Sequence, residues 1–157
     1  MKNLRRFVAL LLVSVMALCV LTGCGGGGGA TNKVDRSIAT KLGADKDIIE
    51  KEGLNDIARA TLDYTQNLVN CGSDTKRAEE VTRKYIIDVQ NAMIKMNGVV
   101  SKYSVAVGAG EDRDGAIAML EKDFSTSGKG EKYCGMAEGV VKSSIDSKYV
   151  IVVIFGH

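Results

Sequence analysis

Seven residues near the end of the chain, Tyr149-Val150-Ile151-Val152-Val153-Ile154-Phe155, carry no charge and leave neither side of an extended segment polar. A strand with one face in water alternates apolar and polar residues. A strand apolar on both faces has to be covered on both, so this run predicts a central strand with packed layers above and below. The rest of the chain must supply those layers.

The remaining periodicities predict the elements that do so. A helix is expected from Asp47 to Val69, clearest where Leu54, Ile57, Ala58, Thr61, Leu62 and Leu68 recur at three and four, with Gly53 marking a break or kink. Cys71-Gly72-Ser73-Asp74 ends it, and Ser73 or Asp74 can cap the next helix. That helix has the stripe Ala78, Val81, Tyr85, Val89, Met93 and Met96, with Gly98 placed as its C′ residue. Its opposite face, from Lys76 and Arg77 through Glu79, Glu80, Arg83, Lys84 and Asp88, reads as ordinary solvated surface. The period then changes. Tyr103 to Val107 predicts a strand ended by Gly108-Ala109-Gly110, and Ile117, Leu120 and Phe124 give the buried side of a short helix. Met136 to Lys142 predicts a strand joined to the last one by Ser143 to Lys148. The fold class is α+β: two long helices, one short helix and a small antiparallel sheet of about three strands.

The beginning of the chain reads differently. Lys2, Arg5 and Arg6 precede an uncharged run from Phe7 to Val20, and Leu21-Thr22-Gly23-Cys24 closes it. Cations, a short apolar core and small residues at the cut describe an export signal. A membrane-spanning helix needs about 20 apolar residues, more than this run supplies. The segment resembles bacterial lipoprotein signals, which implies cleavage before Cys24 and lipidation of its thiol. Acyl chains would then hold the protein on the extracytoplasmic face of a membrane, at the cell surface or in the periplasm, without spanning it. Residues 1–23 are thus assigned to the signal, 24–44 to the lipidated cysteine and a glycine-rich flexible tether beginning Gly25 to Gly29, and 45–157 to one domain.

Maturation changes two readings of composition. Loss of residues 1–23 leaves 18 cations against 19 acids, so the net charge moves from +2 to −1. A near-neutral chain offers no electrostatic reason to expect nucleic acid. Of four cysteines, Cys19 leaves with the signal and Cys24 carries lipid. Cys71 and Cys134 remain, either bridged, which closes a loop worth about 4 kcal/mol of chain entropy, or present as two separate thiols. Two cysteines without a nearby histidine make a poor zinc site.

The order of elements resembles the CAP superfamily, the SCP-like domains of secreted cysteine-rich, antigen-like and pathogenesis-related proteins. Leu54-Asn55-Asp56-Ile57-Ala58-Arg59 is similar to that family's first core helix. Ala106 to Asp112, followed by Ala116 to Leu120, resembles the segment from its first strand into its short helix. Met136 to Val141 and Tyr149 to Gly156 resemble its closing hairpin. The resemblance covers about residues 45–156 and implies an α-β-α sandwich. It does not supply a site. The family's cleft is lined by two histidines and two acids, and the only histidine here is His157, where a frayed terminus or a solvent contact is expected. No cleft residue is carried over, and no metal or cofactor is implied.

Other chemistry is weakly represented. Nucleophile arrangements built on serine or cysteine need a positioned base, which a terminal histidine does not provide. Glu111, Asp112 and Asp114 cluster where a helix starts and suit its dipole; catalysis or calcium binding there is the lesser reading, without the EF-hand spacing. Gly108-x-Gly110 is too short for a nucleotide loop. Glu138 inside a strand pattern fits an edge or solvent face. Lys129 and Lys132 read as solubilising, and Met93, Met96, Met119 and Met136 as core filling. The expected function is therefore a non-enzymatic binding module for a protein, an envelope polymer or a small lipid. A carboxylate-based hydrolase of CAP type and a structural or assembly lipoprotein of unrelated fold are the alternatives.

Overall fold

The computed structural model describes residues 34–157. Cys24, the signal and the glycine run lie outside the described residues. The elements are α1 (Arg36–Lys41), β1 (Ile49–Glu50), α2 (Glu52–Cys71), α3 (Thr75–Lys95), β2 (Tyr103–Gly110), α4 (Arg113–Phe124), β3 (Tyr133–Lys142) and β4 (Ser147–Gly156).

The strands form one mixed sheet in the order β1-β3-β4-β2. β4 pairs antiparallel with β2 on one side, Tyr103 opposite Gly156 through Gly110 opposite Tyr149, and with β3 on the other. The two-residue β1 adds a parallel pair, Ile49 with Tyr133 and Glu50 with Cys134. Three long antiparallel strands thus form the expected sheet, and β1 is a fourth that the sequence did not signal.

β4 is central, and its alternation divides the core. Ile151, Val153 and Phe155 enter one cluster with Ile38, Ala39 and Leu42 of α1 and Ala116 and Leu120 of α4. Val150, Val152 and Ile154 enter the other with Leu54, Ile57, Ala58 and Leu62 of α2 and Val89 and Ala92 of α3. All six of these β4 residues are buried, and truncating any one removes apolar contacts on its own face only.

The domain begins earlier than position 45. Val34, Ile38, Ala39, Leu42 and Ala44 are buried, and Asp35 caps α1 by accepting from the Ser37 amide at 2.9 Å. The segment expected as the second half of a tether is instead core. Its apolar residues recur at three and four within a stretch whose polar composition hides them. The first long helix is likewise shorter than expected. Asp47 lies in a turn, Ile49–Glu50 is strand, and α2 begins at Glu52, so Gly53 sits in its first turn without breaking it.

The glycines at the end of β2 do not terminate it. A Cβ at Gly108 would lie 2.1 Å from the Ala116 carbonyl oxygen, and one at Gly110 would lie 2.5 Å from the Ala116 nitrogen. They let α4 pack directly on the strand, a close backbone approach open only to glycine.

The outer edge of β3 is finished by α2. The Lys51 amide donates to the Cys134 carbonyl at 2.9 Å, and the Met136 amide donates to Asn55 Oδ1 at 2.9 Å. Gln66 makes a two-way pair with the Lys142 backbone. Asn55 and Gln66 are both buried polar residues inside the apolar stripe of α2. They supply the hydrogen bonds that a longer β1 would have made.

Candidate functional site

The positions singled out in the sequence resolve mostly into structural roles. Asp112 caps α4, its Oδ1 accepting from the Gly115 amide at 2.8 Å, and Glu111 pairs with Lys148. Those acids therefore do not converge on a site. Glu138 points onto the α1/α4 face, not to solvent, and accepts from Arg113 Nε at 2.8 Å. Arg113 Nη2 also reaches Asp35 at 2.9 Å, so one guanidinium ties the start of α4 to β3 and to the chain entering α1. Two partners drive the Arg113 pKa further upward, and bonds from Ser37 and then Arg113 pull Asp35 down to about 2.

His157 is not frayed, although its side chain is half exposed to solvent. Its amide donates to the Lys102 carbonyl, its carbonyl accepts from Ser101 at 2.8 Å, and Nδ1 lies 2.9 Å from Glu131 Oε2. Met96 and Met136 are buried, and Met119 Sδ accepts the Ala109 amide at 3.3 Å. Gly98 adopts positive φ, with Asn97 before it also left-handed.

The possible Cys71–Cys134 bridge is set aside. Both are free, buried thiols. Cys134 is bonded to the residue that precedes α2, and Cys71 is the last residue of that 20-residue helix. A helix of that length separates them by roughly 30 Å, against the 7 Å or less between Cα atoms that a bridge demands. Burial, with Glu50 adding to it, pushes the Cys134 thiol up to about 11.

The least satisfied surface lies on α3. Asp74 caps the helix by accepting from the Arg77 amide at 3.1 Å. Tyr85, Val89, Ala92 and Met96 then face α2 and the sheet. Tyr85 stacks on Tyr64 with ring centroids 4.6 Å apart, and its hydroxyl is 3.1 Å from Thr61 Oγ1. Gly53 makes room for Met96, whose Cγ would stand 2.4 Å from a Cβ there. The opposite side of α3 has no neighbour among the described residues, yet Ile87 and Ile94 there are 50% and 74% exposed, and Ile86 on the flank between is 49% exposed. Val99, in the turn beyond, is also exposed. Ile87 and Ile94 are seven apart, hence on one face of the helix.

Beside this stripe, an open groove of about 550 Å³ runs between α2 and α3, lined by Asp56, Arg59, Asp63, Asp88, Asn91 and Lys95 among others. Its carboxylates are engaged: Asp56 with Lys95 at 3.1 Å and Arg59 at 3.6 Å, and Asp88 with Lys84. Among the described residues no three His, Cys, Asp or Glu side chains stand together as a metal site, and no helix is long and apolar enough to cross a membrane. The isoleucines escaped the sequence reading because the first half of α3 shows a charged outer face. Their signal is that they fall outside the stripe spaced at three and four. A comparison of the chain with family models, curated proteins and solved structures finds no match.

Proposed function

We propose that the protein is a membrane-tethered extracytoplasmic lipoprotein whose single α+β domain binds another protein through the outer face of α3. The observation that carries this reading is the pair Ile87 and Ile94, 50% and 74% exposed on the solvent side of a helix otherwise packed only inward. Scattered apolar residues on a surface need no explanation, but two isoleucines at i and i+7 on one helix face match the spacing by which helices seat in a partner's apolar groove. The lipobox at Leu21 to Cys24 and the apolar run before it support the tether. The succession of two long helices, a strand, a short helix and a closing hairpin supports the CAP-like reading of residues 45–156 as part of this proposal, with α1 as an addition in front of it.

The test is site-specific photo-crosslinking in intact cells. A crosslinking residue at Ile94 should give one discrete adduct, lost in an Ile87→Asp background, whereas the same residue at Glu79 gives none. Equal labelling from both sites, or none from Ile94, contradicts the proposal.

A further inference from the structure

We propose that the turn closing α3 is a site of spontaneous covalent modification, where the Gly98 amide displaces ammonia from the Asn97 side chain and leaves aspartate or isoaspartate. The site stands on the turn alone and depends neither on the membrane tether nor on the docking face.

Met96, Asn97, Gly98 and Val99 form a turn closed by the Val99 amide, which donates to the Met96 carbonyl at 2.9 Å. Asn97 has φ 49 and Gly98 φ 76, the two positive values of a type I′ turn. The Asn97 amide donates to the Ile94 carbonyl at 3.0 Å, whereas the Gly98 amide donates to no group among the described residues. The Asn97 side chain is exposed and likewise has no hydrogen bond among the described residues. A Cβ built at Gly98 meets nothing within 4 Å, so the space around this residue is open. Asn97 is the chain's only asparagine followed by glycine. Asn55, Asn67, Asn70 and Asn91 all lie inside α2 or α3, where the next residue's amide belongs to the helical hydrogen-bond ladder.

The chemistry needs only water. The Gly98 nitrogen, having given its proton to hydroxide, attacks Asn97 Cγ. The bond from Cγ to the side-chain nitrogen breaks, and that nitrogen takes a proton from water and leaves as ammonia. Water then opens the five-membered imide at either carbonyl, giving aspartate or, with the backbone rerouted through Cβ and Cγ, isoaspartate. Glycine suits the step because no Cβ crowds the attacking nitrogen. Ring closure requires rotation about the Asn97 Cα–C bond, and the turn bond it disturbs is the single one from Val99 to Met96. Either product adds a negative charge just past the C-terminus of α3, where the helix dipole opposes it. Isoaspartate also inserts a methylene into the backbone between Met96 and Val100, both buried, so it displaces the end of α3 beside exposed Ile94 and Val99.

The experiment incubates the purified protein folded in buffer and, as a reference, unfolded in urea. Trypsin cuts after Lys95 and Lys102, and mass spectrometry of the segment 96–102 separates asparagine, aspartate and isoaspartate. In the folded chain Asn97 should convert at no less than about a tenth of its rate in urea, and at least tenfold faster at pH 8 than at pH 6. Asn67 and Asn70 should stay intact. Gly98→Ala should slow the conversion at least tenfold both in buffer and in urea, where folding plays no part. Conversion in the folded chain more than tenfold slower than in urea would show that the turn holds the reacting atoms apart. Conversion unchanged in Gly98→Ala would show that the Gly98 amide is not the nucleophile. Either result overturns the inference.

Discussion

Gln66 completes the edge of β3 by pairing with the Lys142 backbone in both directions, its Nε2 donating to the carbonyl at 2.5 Å and its Oε1 accepting from the amide at 2.7 Å. Gln66 is 3% exposed, so neither bond is easily replaced by water. Gln66→Ala should therefore cost about 2–3 kcal/mol, the penalty of stranding backbone groups on a buried edge. Urea unfolding measures it. A loss below about 0.5 kcal/mol would mean the β3 edge does not depend on α2.

The packing of α4 on β2 makes a sharper distinction between glycines. Gly108→Ala drives a Cβ into the backbone of Ala116, which has no flexible side chain to yield. We expect about 3 kcal/mol or more of destabilisation, or failure to fold. Gly130→Ala, at φ +80 with nothing within 4 Å, meets only backbone strain and should cost about 1–2 kcal/mol. Thermal melts of the two variants test the contrast, and a reversed order contradicts the packing.

Acid should loosen the attachment of α1. The Ser37 bonds and then Arg113 hold Asp35 at about 2, below its ordinary 3.8. A lowered carboxylate contributes stability that is complete above its unfolded pKa and disappears as pH falls through the folded one. The stability difference between the natural chain and Asp35→Asn should be constant above pH 5 and shrink between about pH 4 and 2. Asparagine keeps the helix cap, so a difference that does not change with pH would show that Arg113 does not act through charge.

The two cysteines should behave as buried thiols. At pH 8 neither Cys71 nor Cys134 should react with a thiol reagent while the chain is folded, because burial keeps Cys134 protonated and both are enclosed. Denaturation should release both together. A chain that yields no free thiol until a reductant is added would contradict the placement of these residues at opposite ends of α2.

What the sequence disclosed follows from which signals were local. β4 was legible because seven uncharged residues admit only a strand covered on both faces, and α3 because its stripe runs unbroken from Ala78 to Met96. α1 was hidden because six helical residues beside a glycine run carry a weak periodicity, and only long-range packing on Phe155 and Met136 brings it into the core. Gly108 and Gly110 were misread because a glycine that ends a strand and one that admits a neighbouring helix look the same in one dimension. Asn55 and Gln66 gave no signal, since their partners lie 81 and 76 residues away. The exposed isoleucines of α3 were visible as letters but not as a surface until the neighbours of that helix were known.

The central claim is that this domain is held on a membrane through Cys24. The most direct measurement is the intact mass of the protein purified from the membrane fraction, with fragmentation of its first residues. The account predicts a chain beginning at Cys24, lacking residues 1–23 and carrying acyl groups on that cysteine, and loss of the acyl mass in Cys24→Ala. A chain that retains Met1 to Gly23, or one that begins at Cys24 without acyl groups, would contradict it.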